Sequence, residues 1–328
     1  MTRNGGEVES VERFEIGGST QWALVRGRNS RSPVLLLVQA GPGFPIIHEA
    51  RALEAALHLE DDFRVVYWDQ RGSGKSFDAG APKSPLRLDD LVGDLCALIH
   101  ALCDRLAVFQ VDVVGFSLGA SLAAIAAARD PEPIRSVTAV GPDVNLGEAE
   151  RFAYAFALTE AGRRSNRRAL LALRAIGPPP HIDFRRFLER VKWVSNFGGV
   201  QRRASFGSLV RTHVLRLLTS PHYSLREAVG AIRGMRSMQE RLLTDLQGLD
   251  LFSRAPRIAV PIAVFQGRLD AAAPPELTRR YHDQLDAPRG KTLVWFEHSA
   301  HMPHVDEPEL FRRHLLERTG RMRPEKSR

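Results

Sequence analysis

The segment Gly115-Phe116-Ser117-Leu118-Gly119 sets a serine between two glycines, after an apolar run and before a helix-forming one. A serine hydroxyl is a poor nucleophile until a neighbouring base takes its proton. A tight strand-to-helix turn would present Ser117 above the backbone, and such a turn needs flanking positions that are nearly free of side chain. It would also put the hydroxyl at a helix N-terminus, where backbone N–H groups favour developing negative charge. The five-residue pattern alone is a weak signal, since an ordinary serine-capped turn shares it. Its place between a strand pattern and a helix pattern gives it weight.

A base for Ser117 is expected from a loop late in the chain. His301 qualifies, within FEHSAHMPHVDEP, and His298 and His304 are its rivals. The three histidines also suggest a His-x-x-His-x-x-His metal set, but no carboxylate or cysteine completes it. An acid that holds the imidazole tautomer should follow the preceding strand, giving the order Ser, Asp, His. Asp270, in GRLDAAAPP after PIAVFQG, fits; Asp143 is the runner-up, and an N-cap for a helix opening at Pro274 is the competing reading of Asp270, disfavoured by the residues between. Two backbone donors must meet the oxyanion. Leu118 supplies one. The other falls to the turn Gln39-Ala40-Gly41-Pro42-Gly43, where Pro42 has no N–H and Gly41 is the best placed. Together these residues would carry acyl transfer to water, with no metal or cofactor expected.

The elements that must hold these groups can be read from apolar periodicity. PVLLLVQA (33–40), FRVVYWDQ (63–70), VDVVGFS (111–117) and IRSVTAV (134–140) are short runs bounded by turn residues, as buried parallel strands are. Helical patterns lie at about 46–59 and 88–107, and LGASLAAIAAARD follows Ser117. RFEIGG and TQWALVRG suggest an antiparallel hairpin at the sheet edge. From 144 to 255 there is no clear strand pattern. Amphipathic helices broken by GPPP, NFGG and SP fill this stretch, and strands return with PIAVFQG (261–267) and TLVWFEH (292–298). This predicts a mostly parallel, doubly wound α/β sheet built from 1–143 and 256–328, with 144–255 inserted as a helical cap.

Composition agrees with a soluble globular protein. The chain has 328 residues, 44% of them hydrophobic, so it can bury a large core. Cys96 and Cys103 lie seven apart in one helical pattern, a rise of roughly 10 Å, too far for a disulfide. They read as two small core side chains, and two unpaired cysteines suit a cytoplasmic location. The N-terminal stretch is polar and no segment is apolar enough to span a membrane. Net charge is +8, yet the arginines are scattered without aromatic interleaving, so neither a nucleic-acid nor a membrane partner is expected. The short basic tail RTGRMRPEKSR reads as frayed. The partner expected is a small-molecule or short-peptide substrate.

These motifs resemble those of the proline iminopeptidase branch of the α/β hydrolases. The family's HGGPG loop stands here as QAGPG, and its DQRGxGxS segment as Asp69-Gln70-Arg71-Gly72-Ser73-Gly74-Lys75-Ser76. Its serine turn stands as GFSLG, its acid turn as GRLD and its histidine segment as SAHMPHVDEP. The match covers about 33–145 and 256–315. It implies an α/β-hydrolase fold and a triad of Ser117, Asp270 and His301, and it favours His301 over its neighbours. Gln39 and Ala40 depart from the family's His-Gly, though the Gln39 amide retains the means to anchor the loop. Asp69 and Arg71 read as supports for that loop. A carboxylesterase or lactonase on the same residues, and a non-catalytic binding protein of this fold, are the alternatives.

Overall fold

The computed structural model describes residues 6–81 and 84–321. The last seven residues of the basic tail lie outside the described residues. Two strands, β1 (Val8–Ile16) and β2 (Ser19–Gly27), form the expected hairpin. Then come β3 (Val34–Val38), helix α1 (Ala50–Leu57), β4 (Arg64–Asp69), α2 (Leu88–Leu106), β5 (Val111–Phe116), α3 (Leu118–Arg129) and β6 (Ile134–Val140). After a long helical stretch the chain returns through β7 (Ile262–Gly267), α10 (Pro275–Gln284), β8 (Lys291–Phe296), the short α11 (Pro303–Asp306) and α12 (Pro308–Arg318). All eight strands join one sheet in the order β1-β2-β4-β3-β5-β6-β7-β8. Only the β1–β2 and β2–β4 pairings are antiparallel. The mostly parallel α/β-hydrolase architecture inferred from sequence is therefore present.

The run Val34-Leu35-Leu36-Leu37-Val38 is buried throughout because β3 is covered on both faces. On one face Leu36 and Val38 meet Leu91, Leu95 and Leu98 of α2 and the alanine-rich α3. On the other, Leu35 and Leu37 meet Ala50 and Leu57 of α1 and Phe311 and Leu315 of α12. Each such buried side chain contributes roughly 1.5–3 kcal/mol. The helix expected over 46–59 is shorter. A 3-10 turn at Ile47–Glu49 precedes α1, and His58 in the left-handed region (φ 46°) ends it. Cys96 and Cys103 are free and half-buried at the margin of the core rather than inside it.

Between β6 and β7 lie α4 (Leu146–Arg163), α5 (Arg167–Ile176), α6 (Phe184–Asn196), α7 (Phe206–Thr219), α8 (Leu225–Leu246) and the short α9 (Leu251–Arg254). Their starts are written locally: Asn145, Asn166, Asp183, Ser205 and Ser224 each accept a first-turn N–H. The backbone bonds Leu146 to Leu249 and Leu251 to Val144 bring the two ends of this stretch together. Among the described residues no helix is long and apolar enough to cross a membrane.

Candidate active site

Ser117 occupies the single-residue link between β5 and α3 with φ 53° and ψ −120°, a conformation that costs a non-glycine residue energy. The neighbours explain why the motif has its spacing. A Cβ at Gly115 would strike the backbone of Gly119 and Ala120, and one at Gly119 would strike the carbonyls of Val38 and Gln39. So the first glycine lets the helix fold back onto the strand, and the second lets the 39–43 turn press against the serine turn. Leu118 and Gly41 thereby come from two adjoining turns, as two oxyanion donors would have to. Gly41 has φ 60°, and its own position is fixed by Phe44 beneath it.

Asp270 and His301 are brought together. Asp270 is buried, and every lone pair it offers is used. Its Oδ1 accepts the N–H groups of Ala272 and Ala273, both at 2.8 Å. Its Oδ2 accepts Gln266 Nε2 at 3.0 Å and lies 2.8 Å from His301 Nδ1. Asp270 does not cap α10, whose N-cap is Pro274 without a side-chain bond; it closes the turn at 270–273 and faces the imidazole at once. The loop carrying His301 is pinned by Ala300 N donating to Asp306 (3.0 Å) and Ser299 Oγ donating to Glu307 (2.6 Å). Burial would lower the pKa of His301. The charge and hydrogen bond of Asp270, helped by the charge of Asp143, outweigh burial and raise it.

The rival histidines are elsewhere. His298 is exposed. His304 packs on Phe116, with ring centroids 4.5 Å apart, and burial followed by the His301 charge pushes its pKa down to about 3. The three histidines therefore do not converge as a metal set.

Asp143 holds a place that the sequence order did not reveal. It follows β6, and its Oδ2 accepts the Ser117 hydroxyl at 3.3 Å. Its backbone carbonyl accepts Ser121 Oγ at 2.9 Å, which fixes the segment. Asp143 is half-buried yet crowded by protein. Burial pushes its carboxyl up to about 6, while His301 pulls it down and Asp270 adds to the rise. Gly141, with φ 53°, makes room for this grouping: a Cβ there would lie 3.1 Å from His301 Nδ1. Asp143 therefore touches the serine hydroxyl and shares this corner with the Asp270–His301 pair.

Asp69 and Arg71, expected as supports for the 39–43 loop, bond elsewhere: Asp69 to the segment after that loop and to the Lys75 turn, Arg71 to Asp94 and the Gly17 carbonyl, while the bond from this segment to the loop itself comes from Gln70. Asp69 is fully buried and accepts the N–H groups of Ile46 (2.8 Å), Ile47 (3.2 Å) and Lys75 (2.8 Å). It also accepts the Tyr223 hydroxyl, from just before α8. Arg71 grips Asp94 through two nitrogens, at 2.7 and 2.6 Å. Gln39 uses its side-chain oxygen on the Ala40 N–H (2.8 Å), and its carbonyl accepts Gln70 Nε2 (3.1 Å). From α8, Gln239 donates to Pro42 O at 3.2 Å, and Met238 fills the space beside Gly43 and Gly72. These α8 contacts bridge about 200 residues of chain, and no local pattern announces them.

Comparison with known proteins bears on the fold. A family model described as the alpha/beta hydrolase fold matches residues 33–308. A probable aminopeptidase of Bacillus subtilis is 28% identical over 93% of this chain and 94% of its own length. A proline iminopeptidase of Heyndrickxia coagulans is 26% identical over 93% and 92%. Among solved structures, a 2-hydroxy-6-oxo-6-phenylhexa-2,4-dienoate hydrolase from a Rhodococcus species superposes with TM-score 0.65 at 18% identity, covering 96% of this chain and 99% of that one. At that identity the likeness speaks for the fold. The model match across most of the chain, on this sheet order, places the protein in the α/β hydrolase fold family.

Proposed function

We propose that the protein is a serine hydrolase that cleaves a small ester or neutral amide through an acyl-enzyme. Ser117 attacks the carbonyl carbon and His301 takes its proton. Asp270 holds the imidazole by Nδ1 and stabilises the imidazolium. The Gly41 and Leu118 amides receive the oxyanion. His301 then hands the proton to the leaving group and activates the water that deacylates Ser117. The observation that carries this reading is the fully saturated Asp270 carboxylate 2.8 Å from His301 Nδ1, beside a serine held at positive φ. In the resting arrangement Ser117 donates to Asp143, so its hydroxyl must swing to the imidazole before attack. Helices α4–α9 act as a cap in this reading, since α8 lies on the turns at Gly43 and Gly72.

The choice of substrate rests on where the insert's carboxylates go. An N-terminal proline amide brings an ammonium group, which needs a carboxylate when it is buried. The insert's six glutamates and Asp183 are already engaged, and Asp245 and Asp250 accept the Leu88 N–H and the Asn145 amide. Glu148 meets Arg280, Glu150 meets Arg190, Glu160 meets Arg163 and Arg164, and Glu189 meets Lys192. Glu227 meets Lys75, Glu240 meets Arg236, and Asp183 caps α6. A neutral acyl group suits such an insert better. The aminopeptidase reading, taken from the relatives' names, keeps one specific support: Asp143 sits beside Ser117 and forms no ion pair among the described residues. The test compares kcat/KM for nitrophenyl butyrate and prolyl-nitroanilide, normalised for intrinsic reactivity, in the wild type and in Asp143→Asn. A normalised preference for the ester, kept in the variant, is expected. A preference for the prolyl amide that Asp143→Asn abolishes would install Asp143 as the amine site and overturn the ester reading.

A further inference from the structure

We propose that His48, Glu49 and His213 bind one divalent transition cation of the zinc class, clamping the helical insert to the segment that follows the Gly41 turn. His48 and Glu49 belong to the 3-10 turn at Ile47–Glu49, whose first N–H, that of Ile47, donates to Asp69. His213 comes from α7, more than 160 residues later. The three donor atoms converge. His48 Nε2 lies 3.0 Å from Glu49 Oε1 and 3.1 Å from His213 Nδ1, and His213 Nδ1 lies 3.7 Å from Glu49 Oε1. A triangle with these sides has a circumscribed radius of about 1.9 Å, so an ion at roughly 2.0–2.1 Å from each atom would sit just off its plane. Two imidazoles and one carboxylate, with a fourth position left to water, form a donor set that suits zinc.

The three inner atoms are close enough to share either one N–H or one cation. A neutral imidazole carries one N–H, and with it on His48 Nε2 that ring donates to Glu49 Oε1 or His213 Nδ1. A cation in its place draws on all three lone pairs at once. The outer nitrogens, His48 Nδ1 and His213 Nε2, are buried and have no hydrogen-bond partner among the described residues, so no outside contact fixes either ring's tautomer. Arg216, one turn beyond His213 on α7, binds Glu49 through the other oxygen, Oε2, and so turns Oε1 toward the imidazoles. Its positive charge makes affinity weaker than at a thiolate site. Phe44 stands edge-on to His213 and Tyr223 edge-on to His48, which keeps the surroundings apolar.

The experiment uses the full chain, stripped with chelator, then titrated with Zn²⁺ by calorimetry and with Co²⁺ by visible absorption. One ion per chain, the intense bands of four-coordinate Co²⁺ and a zinc-dependent rise in Tm are expected. His213→Gln and Glu49→Gln should each weaken binding by at least about a hundred-fold and abolish the rise in Tm. His48→Asn serves as the further variant if either fails to melt cooperatively in chelator. Ser117→Ala should bind the ion as the wild type does, which separates this site from the acyl-transfer chemistry. No saturable binding by the wild type, or binding that all three ligand variants retain, would overturn the proposal and leave a purely hydrogen-bonded cluster.

Discussion

The sheet edge that carries Ser117 and the helical insert use charge in opposite ways. At the sheet edge, charged groups are few, buried or half-buried, and each is aimed at a neighbour. Asp270 is satisfied by four donors, Asp69 ties Ile46, Ile47, Lys75 and Tyr223, and Asp143 rests on the serine hydroxyl. In the insert, charges are many and mostly neutralise one another within a helical turn, as in Glu160 with Arg163 and Arg164, Glu189 with Lys192, and Arg236 with Glu240. The Glu150–Arg190 pair is buried and joined to His181 through the His181 N–H, and Glu148, Glu227 and Arg216 reach out of the insert to Arg280, Lys75 and Glu49. The lesson is that a charged residue type says little without its partner. The same carboxylate is machinery in one region and solvated helix surface in the other.

Substitutions at the sheet edge should separate the two regions most sharply. Ser117→Ala and His301→Ala should each lower kcat by roughly a million-fold while leaving Tm close to wild type, because the three residues act as a unit. Asp270→Asn should cost up to about ten-thousand-fold through the wrong imidazole tautomer. His298→Ala should leave steady-state kinetics within about twofold, as an exposed side chain away from the reacting groups. If His298→Ala or His304→Ala matched Ser117→Ala, the assignment of the base would move.

How far the molecule could be read from its sequence follows the same division. The strands were legible because residues buried on both faces leave continuous Val and Leu runs, as in β3 and β5. The serine turn was legible because Gly115 and Gly119 are demanded by backbone contact within a few residues or with the adjoining strand. The helix after Ile46 was read too long, since the 3-10 turn and the left-handed His58 carry no strong sequence mark. Asp143 was seen as a rival acid but not as the partner of Ser117, because that contact depends on how β5 and β6 end side by side. Tyr223, Met238 and Gln239 went unread altogether. Their contacts with the loops at 42, 69 and 72 arise from the docking of α8, which no periodicity encodes.

A smaller effect should appear in stability against pH. His304 is held neutral in the fold with a pKa near 3, whereas in the unfolded chain it titrates near its ordinary value of 6.5. The unfolded state therefore binds the additional proton between these values, and His304 makes stability fall as pH drops from about 6.5 toward 3. Urea melts of the wild type and His304→Leu across that window should differ in slope, with the variant flatter. Equal slopes would mean that His304 is not desolvated in solution. Smallest of all, Arg236→Ala should shift Tm within measurement error and leave ester turnover unchanged, because its pair with Glu240 is exposed on both sides. A large loss from this one substitution would show that the insert's surface charges do more than solvate it.

The central claim, that Ser117 is the nucleophile activated by His301, is tested most directly by a fluorophosphonate probe with mass-spectrometric mapping of the labelled peptide. The account predicts one label per chain on Ser117, none in Ser117→Ala, and strongly slowed labelling in His301→Ala although the serine is still present. Labelling that persists in Ser117→Ala, or maps to another residue, would contradict it.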